Sequence, residues 1–166
     1  MPRSRQCPSP PGPPPCPADA TSLSSSCRLN ELSIDSQLAL APLTRVVISG
    51  ELRVLSGSSL VLADAAVETD VLTLDPTSTI TVDLRNLTLW TSDLMGNTTV
   101  PIVVNQTASL AGDLIVRLND SAADAFNMGT PIPIIVFGDS TSSFTSVIIE
   151  MNGERMPRAA LMCASN

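Results

Sequence analysis

The side chains of this chain that could do chemistry are carboxylates, hydroxyls, thiols and guanidinium groups. The sequence holds no histidine, no lysine and no tyrosine, and all 9 of its basic residues are arginine. Without His there is no Ser-His or Cys-His nucleophile and no imidazole ligand for zinc. Without Lys there is no Schiff base, no Ser-Lys pair and no P-loop lysine. Two neighbouring acids can still work as acid and base on a sugar bond, and Asp64, Glu68, Asp70 and Asp83 are the candidates by position. No basic pattern accompanies them as a clamp for acidic sugars, and solvated turn acids are the plainer reading. Gly138-Asp139-Ser140 lacks the frame of a nucleophile elbow, and no His exists to activate Ser140. Neither a G-G-x-G-x-D repeat nor an EF-hand loop occurs, so no catalytic residue, metal or cofactor is expected.

Composition narrows the partners. The net charge is -7 over 166 residues, spread thinly rather than in runs, which argues against nucleic acid and anionic membrane surfaces. The densest apolar run, PIPIIVF at 131–137, is far shorter than the roughly 20 residues of a spanning helix, so no membrane insertion is expected. Met1 to Arg5 is basic, but proline-rich sequence follows it, which does not read as a secretory signal. Aromatic residues make up 2% of the chain, so any core must be built from Val, Leu, Ile and Ala.

Three regions follow from the pattern. Residues 1–27 carry 8 of the 14 prolines; proline fixes φ and lacks a donor, so a disordered or polyproline lead or linker is expected. Residues 28–118 read as short alternating strands that repeat every 20 residues. Leu32, Leu52 and Leu72 align, as do Ile34, Val54 and Leu74, and then Leu40, Leu60 and Ile80, while Leu62 meets Val82. Alternation places these residues on one face of each strand, and a fixed period near 20 is the mark of stacked β rungs. The rungs are expected at about 30–49, 50–69 and 70–89, with one or two irregular rungs after them. Residues 119–166 are expected to cap the stack: NDSAADAFNMGTP as a loop or helical turn, then PIPIIVF and SFTSVIIEM as strands around a GDSTSS turn. Pro131 and Pro133 push the first of these strands towards an edge or a strand start. The expected fold is all-β: a short right-handed parallel β-solenoid of about 20 residues per rung with a C-terminal strand cap. A β-sandwich is the alternative, since regular strands with frequent turns fit it too. The Thr row in TSTITV has no stacked counterpart in the neighbouring units, so ice recognition is not expected.

ISGELRVLSGSSLVLADAAV, followed by DVLTLDPTSTITVDL, resembles the rungs of right-handed parallel β-helices in autotransporter passengers and related adhesin-like extracellular proteins. The stretch SLAGDLIVRL, then GTPIPIIVF and SSFTSVIIE, resembles the way such repeats finish. The likeness covers about residues 45–150. It implies a β-helix in a surface setting, and such folds host adhesins, stalks and polysaccharide enzymes alike.

Four cysteines stand at Cys7, Cys16, Cys27 and Cys163, none in a CxxC spacing. An even count outside the repeat fits two disulfides in one of three connectivities. Cys27–Cys163 with Cys7–Cys16 is favoured because the first pair brackets the β region; free thiols in a reducing cell are the alternative. Four N-x-S/T sequons, at Asn86, Asn97, Asn105 and Asn119, mark glycosylation candidates on surface turns. Together these features predict a non-enzymatic extracellular module, a rigid spacer or adhesion unit within a longer surface protein. The expected partner is a carbohydrate or a cell-surface protein. The alternative is a fragment of a carboxylate-dependent carbohydrate-active β-helix enzyme.

Overall fold

The computed structural model describes residues 22–23, 27–86, 100–129 and 132–156. Alternating aliphatic segments form strands in chain order: β1 (Ser22–Leu23), β2 (Cys27–Leu29), β3 (Leu32–Ile34), β4 (Gln37–Leu40), β5 (Arg45–Val54), β6 (Ser59–Ala63), β7 (Ala66–Leu74), β8 (Thr79–Leu84), β9 (Ile102–Leu110) and β10 (Asp113–Leu118). A helix, α1 (Asp120–Asn127), precedes β11 (Ile135–Ser140), β12 (Ser146–Met151) and β13 (Glu154–Arg155). They make two sheets. One has seven strands in the order β1-β4-β6-β8-β10-β12-β13; the other runs β11-β9-β7-β5-β2, with β3 also on β5. The chain alternates between the sheets, and each return lands beside the strand laid down one layer earlier. The protein is therefore all-β with parallel ladders, and its one antiparallel pairing among the described residues is β12 with β13. A sandwich of antiparallel hairpins is not what this chain builds.

Like residues stack within the interior. Leu32 pairs with Leu52 and Leu52 with Leu72, then Leu72 with Ala108. Ile34, Val54, Leu74 and Leu110 form the next ladder. One alignment differs from the 20-residue expectation: Leu40 pairs with Leu62, and it is Leu38 that meets Leu60 and, through it, Ile80. The link from β3 to β4 holds only residues 35–36, whereas β5 to β6 uses 55–58, so the seven-stranded sheet slips by two residues here. Leu52, Leu62, Leu72, Ile80 and Val82 are all 0% exposed. Each such side chain contributes about 1.5–3 kcal/mol by leaving water.

Strands of the six-stranded sheet bend at equivalent places. The β5–β7 register shifts between Ile48 and Glu51, that of β7–β9 between Thr69 and Val71, and that of β11–β9 between Phe137 and Asp139. Thr69, fully buried, has its hydroxyl 2.9 Å from the carbonyl of Gly50 and 3.0 Å from that of Val71, which satisfies it inside the core. At Gly50 a Cβ would lie 2.7 Å from the carbonyl oxygen of Asn30, and at Gly112 one would lie 2.6 Å from that of Ser78. Both glycines let the backbone touch the layer before it, but at different places: Gly50 in the bend of β5, Gly112 in the link from β9 to β10.

The turns between sheets repeat as well. In Leu55–Ser58 and Asp75–Ser78 the last amide donates to the first carbonyl, at 3.0 and 3.1 Å. The third residue is left-handed in both, Gly57 with φ 78° and Thr77 with φ 65°. Ser56 donates its hydroxyl to the carbonyl of Pro76 at 2.7 Å, so one turn is fastened to the next.

After β8 the ladder offset grows, with Ile80 opposite Leu114 and Val67 opposite Ile102. β9 and β10 thus form a single layer. The Ala-rich stretch expected as a loop or short helical turn is the eight-residue helix α1, which packs Ala122, Ala123 and Ala125 inward and lies against β10. Gly129, with φ 79°, ends it. The last two main strands extend the stack as a further parallel layer: β11 lies on β9, with the shift at Gly138, and β12 lies on β10 in unbroken register. Gly138-Asp139-Ser140, expected in a turn, is the end of β11. β11 follows Pro133 and is the last strand of its sheet among the described residues, the first of the two placements the prolines allowed. Burial drops in this layer, where Ile135, Phe137, Phe144, Ile149 and Met151 are only partly covered and Val147 is 36% exposed.

Candidate functional site

The outer faces carry the groups that sequence reading singled out. Glu68 accepts from Arg45 at 2.6 Å, Asp75 from Arg53 at 3.0 Å, and Glu150 from Arg117 at 2.8 Å. Each pair joins neighbouring layers and is solvent-exposed, so each is worth little more than about 1 kcal/mol. Asp70 accepts from the side-chain amide of Asn105 at 3.2 Å.

Asp64 and Asp83, two of the four acids that are candidates by position, come together at the C-terminal ends of β6 and β8, strands in the middle of the seven-stranded sheet. The amide of Asp64 donates to the carbonyl of Asp83 at 2.9 Å. One Asp64 carboxylate oxygen accepts from the Arg85 amide at 3.0 Å. Asp83, only 9% exposed, accepts from Asn119 Nδ2 at 2.9 Å and from the Arg85 guanidinium at 3.3 Å. The Ser121 hydroxyl donates to the Arg85 carbonyl at 3.1 Å. The Arg85 guanidinium, bonded to Asp83 with Asp64 and Asp120 nearby, holds its proton more tightly than a free arginine. This is the densest polar cluster described. Its carboxylates face protein donors, as expected of a brace between layers. Glu68 and Asp70 do not join it. Asn119 and Ser121 do, and the acids' positions alone could not show this, because the segment between β8 and β9 sets Asn119 at a distance no repeat predicts.

Asn119 also stands at the N-terminal cap of α1; its side chain makes no capping bond, and its Nδ2 donates to Asp83. Of the other sequons, Asn105 lies exposed in the bend of β9 and Asn86 is exposed just past β8. Asn97 lies outside the described residues. Cys27 is 1% exposed in the first layer, above Val46. Cys7, Cys16 and Cys163 lie outside the described residues.

Ser140 is exposed, and its amide donates to the Asp139 carboxylate at 2.8 Å. Thr79 stacks between Ser59 and Asp113, and Thr81 between Val61 and Ile115, so their column is not a threonine row. Among the described residues no group of three or more His, Cys, Asp or Glu is placed to hold a metal ion, and no helix is long and apolar enough to cross a membrane. No family model matches the chain, and neither a curated protein nor a solved structure matches it.

Proposed function

We propose that the chain is a short right-handed β-solenoid serving as a rigid, non-enzymatic spacer or adhesion module of an extracellular surface protein. The observation that carries this reading is the register. The Leu38–Leu60–Ile80–Leu114 ladder crosses four layers with every member 7% exposed or less. A stack held by continuous aliphatic ladders and parallel hydrogen bonds resists bending and transmits load between its ends. The acids support the same reading, since Asp64, Glu68, Asp70, Asp75, Asp83 and Glu150 each accept a bond from a neighbouring group. A catalytic pair would need its carboxylates turned to a substrate.

The resemblance to adhesin-like β-helix repeats, the even count of cysteines and the sequons favour an oxidising, surface setting. Cys163 is the proposed partner of Cys27, and a carbohydrate or cell-surface protein is the proposed ligand. Mass spectrometry of secreted and surface material from the native cells tests the setting. The expected result is this chain in that fraction, with a Cys27–Cys163 cross-link in its non-reduced digest. Recovery only from the reducing cytosol, with free thiols, would overturn it.

A further inference from the structure

We infer that Asn105 is an N-glycan attachment site and that Asn119, in an equally valid sequon, is not; the inference rests on the extracellular reading. Both sequons lie wholly within described residues, Asn105-Gln106-Thr107 and Asn119-Asp120-Ser121, so their surroundings can be compared directly. Asn105 and Gln106 fall where the β7–β9 register shifts, between the Val104–Thr69 and Thr107–Val71 pairs. The chain bulges outward there and both residues are exposed. The Asn105 amide makes one side-chain bond, to the surface carboxylate of Asp70 at 3.2 Å, and a substituted amide keeps one N–H that can still serve it.

Asn119 differs in its burial and in what surrounds it. It is half-buried, its Nδ2 lies 2.9 Å from the buried Asp83 carboxylate, and it leads directly into α1. The hydroxyl of its sequon serine is turned to the Arg85 carbonyl. A sugar on that nitrogen would have to stand beside the buried Asp83 carboxylate, at the start of α1.

The modification is a substitution at the anomeric carbon of an oligosaccharide carried on a lipid diphosphate. The Nδ2–C1 bond forms, the C1–O bond to the diphosphate breaks, the lipid diphosphate leaves, and the amide proton passes to a base of the transferase. A glycan at Asn105 would stand one layer from the exposed edge. Gly138 of β11 packs so closely on this bulge that a Cβ there would lie 2.8 Å from the Gln106 carbonyl oxygen. It would hinder other chains from pairing with β11.

The test is to express the full chain behind a cleavable secretion leader in eukaryotic cells. Sites are read by enzymatic deglycosylation in heavy-oxygen water and peptide mass mapping, on both the membrane-enclosed and the secreted pools. Label is expected at Asn105 and absent at Asn119. Asn105→Gln and Thr107→Val should each remove one mobility step on a gel. An unlabelled Asn105 in both pools, or Asn119 labelled to the same extent, would overturn the inference. Because the leader imposes the route, those outcomes count against the site alone, whereas a cytosolic native chain counts against the extracellular reading alone.

Discussion

Truncating Leu72 to alanine tests the stacked interior at its centre. Leu72 is 0% exposed, with Leu52 in the layer before it and Ala108 in the layer after. Leu→Ala at such sites costs about 2–5 kcal/mol, the higher figures going with cavities that cannot collapse. Here the next residue in the column is already an alanine, and both neighbouring backbones are pinned by ladder hydrogen bonds, so the void would persist. A loss of about 3–4 kcal/mol is expected, a large share of the roughly 5–15 kcal/mol typical of a domain. Leu32 heads the same column but is only partly buried, so Leu32→Ala should cost about half as much. Urea denaturation followed by circular dichroism measures both, read as a fall in midpoint at unchanged slope. Equal losses at the two positions, or a loss below about 1 kcal/mol at Leu72, would refute the claim that aliphatic columns hold the layers together.

Three further outcomes follow from the turns and the polar corner. Thr77→Gly should stabilise the protein by up to about 1 kcal/mol, since a left-handed non-glycine residue costs about 1–2 kcal/mol, offset by glycine's greater entropy when unfolded. Gly57→Ala at the equivalent position, where a Cβ meets nothing within 4 Å, should destabilise by a similar amount through φ alone; thermal melts of both variants check the pair. Gly112→Ala should cost about 1–3 kcal/mol, because the added carbon would lie 2.6 Å from the Ser78 carbonyl oxygen; a melting temperature equal to the parent's would show that the layers can part there without penalty. Asp83→Ala should cost about 1–3 kcal/mol by leaving Asn119 without its acceptor, and hydrogen exchange should rise first at the start of α1; unaltered protection there would remove Asp83 from its bracing role.

The middle of the fold was legible because its chemistry repeats. Leu52–Leu72 and Leu60–Ile80 recur at 20 residues, since β5–β6 and β7–β8 are joined by turns of one length. The period failed where a link changed length. The short 35–36 link displaced Leu40 from the expected column, and the long segment between β8 and β9 concealed that β9–β10 is one layer. The two closing strands are legible as apolar runs, whereas their register on β9 and β10 is not, because the residues of β11 do not alternate in burial. The polar corner was half visible: Asp64 and Asp83 could be picked out by position, whereas Asn119 reaches them across an interval with no internal pattern.

The links that carry the chain from the seven-stranded sheet back to the six-stranded one vary widely. Residues 64–65 suffice in one layer, while 41–44, 85–101 and 119–134 serve in the others, and the columns on either side stay in step. Length can therefore be spliced in at this one corner without disturbing the scaffold. That makes it a natural mount for grafted peptides or tags, which would be displayed in a row at intervals fixed by the strand spacing of about 4.8 Å.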